Sequence, residues 1–164
     1  MVKQKRQLDA IDWRLVRALS ADGRQTLRAL AQEVELSEPA VRDRVQRLEH
    51  DGVVTSYRAV IDPAAVSRAA AAFVAIRFDV RERSAVLKAL LADTDVLEAH
   101  EVAGDDCCLL KLRVASTDAL AEALERIRAM RSVSGTRTTV VLRTLFERPL
   151  AVIDPAEPGE PPRG

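Results

Sequence analysis

Apolar residues recur every three or four positions through the first fifty residues, a spacing that predicts amphipathic helices. The pattern predicts helices over residues 8–20, 27–34 and 38–51. Ser37 is a suitable N-cap for the third of these helices, and Gly52 is a suitable stop signal. Three short helices with a tight link between the second and third indicate a helix-turn-helix unit.

The hydrophobic pattern changes at residue 53. Residues 53–61 are rich in β-branched side chains and are predicted to be extended, as a connecting strand. Asp62-Pro63 interrupts that segment. We therefore assign residues 1–61 to a winged-helix-like DNA-binding domain that includes the connecting strand.

The second half of the chain alternates between period-2 and helical patterns, and we assign residues 62–150 to a second domain. Helices are predicted over 84–92 and after Ser116 or Thr117, where Leu120, Leu124 and Ile127 share a face. The predicted strands are 72–80, 96–103, 107–114 and 135–146. The order βαββαβ predicts a ferredoxin-like sandwich, so the expected fold class is α+β. Four prolines within 154–164 indicate a disordered tail, which we assign to 151–164.

Composition restricts the class of function. The chain has 164 residues, 48% of them hydrophobic, with 25 basic and 25 acidic side chains and a formal net charge of zero. A neutral chain does not suggest a general nucleic-acid binder, so any DNA contact has to come from a local arrangement. Because no run of apolar residues is long enough to span a membrane and no secretory signal is recognisable, we expect a cytoplasmic protein.

Candidate catalytic and metal-binding residues are scarce. The two cysteines, Cys107 and Cys108, are adjacent and lack the spacing of a zinc site. His50 and His100 are the two histidines, and no nucleophile–base pair or phosphate loop accompanies them. We therefore expect no metal, cofactor or catalytic site. The alternative is a ferredoxin-like small-molecule-binding protein or enzyme that does not read DNA.

The third predicted helix has an apolar face and a polar face. Val41, Val45 and Leu48 are expected to face the core. The candidate DNA-contacting residues are Ser37, Pro39, Arg42, Asp43, Arg44, Gln46 and Arg47. Guanidinium groups suit phosphates and guanine edges, and glutamine suits adenine. The same face could be ordinary solvated surface, and Arg44 could pair inside the domain.

Short motifs in both halves resemble the Lrp/AsnC family of transcriptional regulators, the leucine-responsive/asparagine-responsive or feast/famine proteins. The resemblance covers roughly residues 8–147 in order, and the ordered set is specific although each piece alone is weak. The matching motifs are Leu8-Asp9, Asp12, Leu15, Asp22-Gly23-Arg24, Leu36-Ser37, Val41, Arg44-Val45, Leu48-Glu49, Gly52, Val54, Tyr57, Val102-Ala103-Gly104-Asp105 and Thr136-Arg137-Thr138 followed by Thr139-Val140-Val141-Leu142.

The resemblance implies a regulator that binds a double-stranded DNA operator and forms a dimer, in many members assembled further into octamers or open arrays. It also implies a small effector, an amino acid or a related molecule, bound between sensing domains. The candidate effector residues are Val102, Gly104, Asp105, Asp106, Thr138 and Thr139. The alternative for Gly104-Asp105-Asp106 is that it only closes a hairpin.

The sequence departs from the family pattern at three positions. Asp106 replaces an aromatic residue, Cys107 replaces an aspartate, and Gln46 stands where many members carry a basic residue. The changes at Asp106 and Cys107 concern which effector binds, and the change at Gln46 concerns which operator sequence is preferred.

A dimer is also expected from the predicted sandwich itself. Two helices can cover only one face of a four-stranded sheet, and burial against a second copy would cover the other face. A symmetric dimer predicts a roughly palindromic operator.

Overall fold

The computed structural model describes residues 7–156. They divide into two compact units: one contains the described residues up to Ala59 and from Glu147 onward, and the other runs from Val60 to Phe146. The division near residue 60 lies within two residues of the expected boundary. Residues 147–150, expected in the second domain, belong to the first unit.

The residues assigned to a tail are only partly described. Residues 157–164 lie outside the described part of the chain. Within 151–156, the side chain of Asp154 is only 6% exposed, and its carboxylate accepts a hydrogen bond from the backbone N–H of Ala156. This stretch therefore includes a buried, hydrogen-bonded residue.

The first unit contains the three predicted helices, α1 (Ala10–Ala21), α2 (Leu27–Val34) and α3 (Glu38–His50). Each begins after a side chain that accepts a hydrogen bond from a backbone N–H of the first turn. These N-caps are Asp9, Thr26 and Ser37. At α1 the cap is reciprocal, because the Asp12 side chain also accepts from the backbone N–H of Asp9.

The apolar faces of the three helices meet in one core. Leu15 of α1, Leu30 of α2 and Val41 of α3 are each at most 1% exposed. Burial of each such side chain contributes about 1.5–3 kcal/mol. Val45 and Leu48 complete the α3 face that the sequence predicted to be buried. The outward orientation of the remaining α3 residues follows from this packing.

The predicted connecting strand is absent. Residues 55–62 have no regular secondary structure, and no strand among the described residues pairs with them. Val60 is 96% exposed. The β-branched composition favoured an extended chain, but a strand also requires a neighbour that supplies backbone hydrogen bonds, and the described chain offers none here.

The second unit contains a four-stranded antiparallel sheet with two helices on one face. Its strand order is β2-β3-β1-β4, as in a ferredoxin-like sandwich. The elements are β1 (Ala70–Phe78), a 3-10 turn (Val80–Glu82), α4 (Arg83–Ala92), β2 (Val96–Glu101), β3 (Cys108–Val114), α5 (Thr117–Arg128) and β4 (Val133–Val141). The predicted βαββαβ order is confirmed. The ladders are shorter than expected, because β2 ends two residues early and β4 stops at Val141.

Alternation along β1 determines which face of the sheet is buried. Ala72, Val74 and Ile76 lie in the core with Val86 of α4 and Ile127 of α5. The alternate residues of β1, Phe73 and Arg77 among them, point to the face that carries no helix. We call this the open face.

Candidate DNA-reading helix and ligand-binding turn

Helix α3 presents six of the seven predicted DNA-contacting residues to solvent. They are Ser37, Pro39, Arg42, Asp43, Gln46 and Arg47. Residues three and four apart on a helix are neighbours, so positions 39, 42, 43, 46 and 47 form one continuous surface. This surface lies opposite the core-facing residues of α3.

Arg44 is the exception among the predicted residues, and it takes the internal role. Its Nη1 atom donates to Asp9 Oδ2 at 2.7 Å and to Asp12 Oδ1 at 2.6 Å. Hydrogen bonds with Asp9 and then Asp12 raise the pKa of Arg44, although desolvation opposes them. The guanidinium group thus joins α3 to the start of α1, which is the internal pairing that the sequence left open.

Two of the outward residues are held by the helix itself. The Ser37 hydroxyl accepts from the backbone N–H of Ala40 at 3.4 Å, so it caps α3. Arg47 Nε donates to the Asp43 carbonyl oxygen at 3.2 Å, which holds its side chain along the helix. Arg47 is nevertheless exposed.

Tyr57 ties the chain after α3 back to the helices, a role that periodicity could not predict. Its hydroxyl donates to Glu49 Oε1 at 2.8 Å. Its ring lies so close to Gly23 that an added Cβ would be 3.1 Å from Tyr57 Cδ1. Burial, followed by the hydrogen bond and charge of Glu49, raises the pKa of Tyr57 to about 12. The exit from α3 is therefore fixed by a side-chain contact.

The predicted effector turn joins β2 to β3. Gly104 has φ of +139°, a conformation that residues with a side chain rarely adopt. Backbone hydrogen bonds close the base of the turn, from Val102 N–H to the Cys107 carbonyl at 3.3 Å and from Cys107 N–H to the Ile76 carbonyl at 2.9 Å. The turn thus exposes backbone at its tip while its base is fixed to β1.

Asp105 and Asp106 differ sharply in their surroundings. Asp105 is exposed. The Asp106 side chain is 14% exposed, and its Oδ2 accepts from Arg137 Nη2 at 2.5 Å. Arg77 Nε lies 4.0 Å from Asp106 Oδ1. Asp106 therefore already has cationic partners within the chain, whereas Asp105 is exposed.

Arg77 and Arg137 were not among the predicted site residues. A signal for Arg77 is present in the sequence, because it is the one charged residue within an otherwise apolar run, 70–78. Arg137 lies between threonines of the last strand, inside a motif quoted for the family resemblance. The pairing of either arginine with Asp106 needed the tertiary structure.

Thr138 and Thr139 lie on opposite faces of the sheet. Thr138 lies opposite Val74 on the helix-covered face, and Thr139 lies opposite Phe73 on the open face. Thr138 Oγ1 is buried without a hydrogen-bond partner among the described residues. The two hydroxyls therefore do not lie on the same side of the sheet, because neighbouring residues of a strand point to opposite faces. The role of either threonine in effector binding stays a prediction.

The remaining candidate features, a reactive thiol, a metal site and a membrane-spanning helix, receive no support from the described residues. Burial raises the pKa of the Cys108 thiol, which disfavours the reactive thiolate. Within residues 7–156, no group of three or more His, Cys, Asp and Glu side chains is arranged to hold a metal ion. None of the helices described in that range is long and apolar enough to cross a membrane.

Models of two known protein families match the two halves of the chain. The AsnC-type helix-turn-helix domain matches residues 8–49. The Lrp/AsnC ligand binding domain matches residues 71–151. Together these matches span more than half of the chain and include both α3 and the turn at Gly104.

Individual relatives give the same picture. The HTH-type transcriptional regulator LrpA of Mycobacterium tuberculosis is 44% identical over 140 residues, which is 85% of this chain and 93% of the relative. The crystal structure of that organism's leucine response regulatory protein has a TM-score of 0.82 at 41% identity, and the match covers 89% of this chain and all of the other.

A related crystal structure contains a small molecule. It is a feast or famine regulatory protein from M. tuberculosis complexed with L-methionine, with a TM-score of 0.80 and 44% identity. The match covers 86% of this chain and 96% of that one. The relatives of this chain are thus named as transcriptional regulators. The alternative of an enzyme, or of a sensing protein that does not read DNA, is therefore set aside.

Proposed function

Because this chain belongs to the Lrp/AsnC family of helix-turn-helix transcriptional regulators, we propose that α3 reads a DNA operator and that a small amino acid bound at the Gly104 turn modulates this binding. The single observation that carries the DNA-reading assignment is the arrangement of α3. It is capped, its apolar face is buried, and its outer surface holds Arg42, Gln46 and Arg47. We also propose that the protein acts in the cytoplasm, as expected of a helix-turn-helix regulator of this family.

The charges of α3 favour specific contacts over general attraction. Residues 37–51 hold three arginines and four carboxylates, so their sum is −1. With Arg44 turned inward, two arginines remain on the outer surface. The expected contacts are therefore a few directed hydrogen bonds to guanine edges or phosphates, with Gln46 directed to adenine.

The experiment is a fluorescence anisotropy titration with the region upstream of the protein's own gene. Arg47→Ala is expected to weaken specific binding by about 1–3 kcal/mol if Arg47 contacts a base. If it contacts a phosphate, the salt slope should fall by about one unit instead. Arg81→Ala, an exposed arginine in the other unit, is the matched control. Unchanged affinity and slope in both Arg42→Ala and Arg47→Ala would exclude α3 as the reader.

The turn supports the effector assignment through its backbone and through Asp105. Gly104 has no side chain, so a ligand can approach the backbone N–H groups of the turn, and such groups can receive a carboxylate. Asp105 is exposed and suits an ammonium group. A relative that is 44% identical has been crystallised with L-methionine.

Calorimetry with each of the twenty amino acids tests the effector. At least one is expected to bind, and Gly104→Val is expected to abolish that binding because valine at a φ of +139° is strained. Asp105→Ala should weaken it. If an amino acid binds and neither substitution changes its affinity, this turn is not the effector site.

We further propose a dimer formed by the open face of the sheet. Phe73 is 40% exposed there. Part of the charge on this face is already paired within the chain, because Glu98 accepts from Lys111 at 3.2 Å and lies 3.1 Å from His100. Internal pairing lowers the cost of removing these charges from water. The face thus suits burial against a second copy, and such dimers can assemble further, up to an octamer.

Light scattering tests the dimer. The wild type is expected to be at least dimeric at micromolar concentration, and Phe73→Glu is expected to be monomeric because a carboxylate would be buried at the interface. Glu122→Ala, on the solvent side of α5, should leave the assembly unchanged. A monomeric wild type that binds DNA would exclude the proposal.

A further inference from the structure

The cluster formed by Arg77, Asp106 and Arg137 has an excess of positive charge at the ligand-binding turn. We propose that the guanidinium groups of Arg77 and Arg137 form a carboxylate-binding site, and that Asp106 occupies it until the carboxylate of the effector takes its place. This inference rests on the proposal that a small amino acid binds at this turn. It identifies the group that receives the ligand's carboxylate and the side chain that competes for it.

The ratio of charges is the first argument. Arg77 and Arg137 are 58% and 74% exposed, and they share one carboxylate that is 14% exposed. Each guanidinium carries five N–H donors, so the two groups together carry more donors than one carboxylate can use. A second carboxylate therefore finds charge and donors already directed towards the same point.

A second ionic cluster in the same unit shows that this ratio is particular to the turn. At the other cluster, Arg126 donates to Asp93 at 3.3 Å and to Asp95 at 2.6 Å. Arg68 also contacts Asp95, so two arginines there meet two carboxylates. That cluster is balanced, whereas the cluster at the turn leaves one positive charge over.

Gly135 provides the space in which the Arg77 guanidinium lies. A Cβ added at Gly135 would be 2.9 Å from Arg77 Nη2 and 3.3 Å from Arg77 Nε. Any side chain at position 135 would therefore push the guanidinium away from β4. Because Gly135 and Arg77 are paired across β1 and β4, the missing side chain positions Arg77 beside Asp106.

Displacement of Asp106 would release part of the turn but not all of it. The backbone hydrogen bond from Cys107 to Ile76 remains, so the base stays fixed to β1. Gly104, Asp105 and Asp106 lose the side-chain tether to β1 and β4. Exposed ion pairs contribute little to stability, so a ligand carboxylate at ordinary metabolite concentrations is able to compete with Asp106.

The test compares the two neighbouring aspartates. In calorimetry with each of the twenty L-amino acids, Asp106→Asn is expected to tighten binding of the effector by roughly tenfold, because a competing carboxylate is removed. Asp105→Asn, the matched control, is expected to weaken it because the ammonium partner is lost. Opposite changes at adjacent, isosteric substitutions are not expected from general damage to the turn.

The second part of the test changes the arginine site and removes the carboxylate of the ligand. Arg137→Gln and Gly135→Ala are each expected to weaken binding by at least roughly tenfold. L-methioninamide, which lacks the carboxylate, is expected to respond to neither Asp106→Asn nor Arg137→Gln. In hydrogen exchange, the amides of 104–106 should exchange faster in wild type with bound amino acid than without it.

The outcomes separate this inference from the effector proposal. If an amino acid binds and Gly104→Val abolishes it while Asp106→Asn and Arg137→Gln have no effect, the turn is the effector site and the inference is wrong. If Asp106→Asn binds an amino acid that wild type does not, the carboxylate site is correct and Asp106 keeps it closed in the wild type. If no amino acid binds either protein, both proposals are rejected.

Discussion

Replacement of Arg44 by alanine should destabilise the helical unit while the outward residues of α3 keep their positions. Arg44 donates to Asp9 and Asp12, which lie 35 and 32 residues away at the start of α1. The alanine variant leaves two carboxylates without their cation. The loss of stability depends mainly on how deeply each carboxylate is buried.

The magnitude follows from the exposure of the three side chains. Asp12 is 6% exposed, so its hydrogen bond with Arg44 falls in the range of about 1.5–3 kcal/mol for bonds to charged groups. Asp9 is 50% exposed, and its pair with Arg44 contributes less than about 1 kcal/mol. We expect a total loss of about 2–3 kcal/mol. The upper limit is about 5 kcal/mol, the largest cost usually found for breaking a fully buried pair.

The assay is urea unfolding of the full chain followed by helical circular dichroism, alongside DNA binding. Arg42→Ala is the matched control, because Arg42 is exposed on the same helix. We expect Arg42→Ala to change the free energy of unfolding by less than about 0.5 kcal/mol and to weaken DNA binding. Arg44→Ala should lower the free energy of unfolding and should leave DNA binding unchanged at temperatures where the variant is folded.

Low pH gives an independent check with a defined sign. Partial burial acts to raise the pKa of Asp9, but hydrogen bonds from the Asp12 backbone and from Arg44 outweigh it, so the pKa is lowered. A lowered pKa contributes stability above the unfolded value of about 4, and this stability is lost as the pH falls through the folded value. The difference between wild type and Arg44→Ala should therefore shrink below pH 4. A difference under 0.5 kcal/mol at pH 7, on the scale expected of surface changes, would refute the reasoning.

Two further predictions concern single hydroxyl groups. Tyr57→Phe removes the hydrogen bond to Glu49 and should cost about 1 kcal/mol in urea unfolding. The pKa of Tyr57 is raised to about 12, so the stability that Tyr57 contributes is present below the unfolded value of about 10 and is lost as the pH rises towards 12. A titration followed by tyrosinate absorbance should show a lower pKa for Tyr57 in the Glu49→Gln variant than in wild type. Thr138→Val replaces a buried hydroxyl that has no partner among the described residues by a methyl group of similar shape, so thermal unfolding should show equal or higher stability. A clear loss would mean that this hydroxyl is hydrogen-bonded.

The helices and the order of the strands could be predicted because their signals are local. Asp9, Thr26 and Ser37 are cap residues placed directly before apolar periods, and the structure uses each of them as a cap. The alternation of apolar residues identified the buried face of β1 in the same way. Neither inference needs information from distant parts of the chain.

The predictions that failed or remained open depend on distant partners. The sequence left open whether Arg44 pairs inside the domain or contacts DNA, because its partners lie in another helix, 35 and 32 residues away. The segment after Gly52 had strand composition but no strand to pair with. Asp106 likewise obtains its partners from β1 and β4, so its pairing required the register of the whole sheet.

The surface of α3 has a consequence for how operator preference can change over time. Residues 42, 46 and 47 lie outside the core, whereas the stabilising ion pair of the same helix is confined to Arg44. If α3 reads DNA as proposed, substitutions at those three positions would alter what the helix recognises at little cost to folding. Duplicated copies of such a regulator are free to acquire new target sites by single mutations at these positions, while selection for a folded domain acts on Arg44.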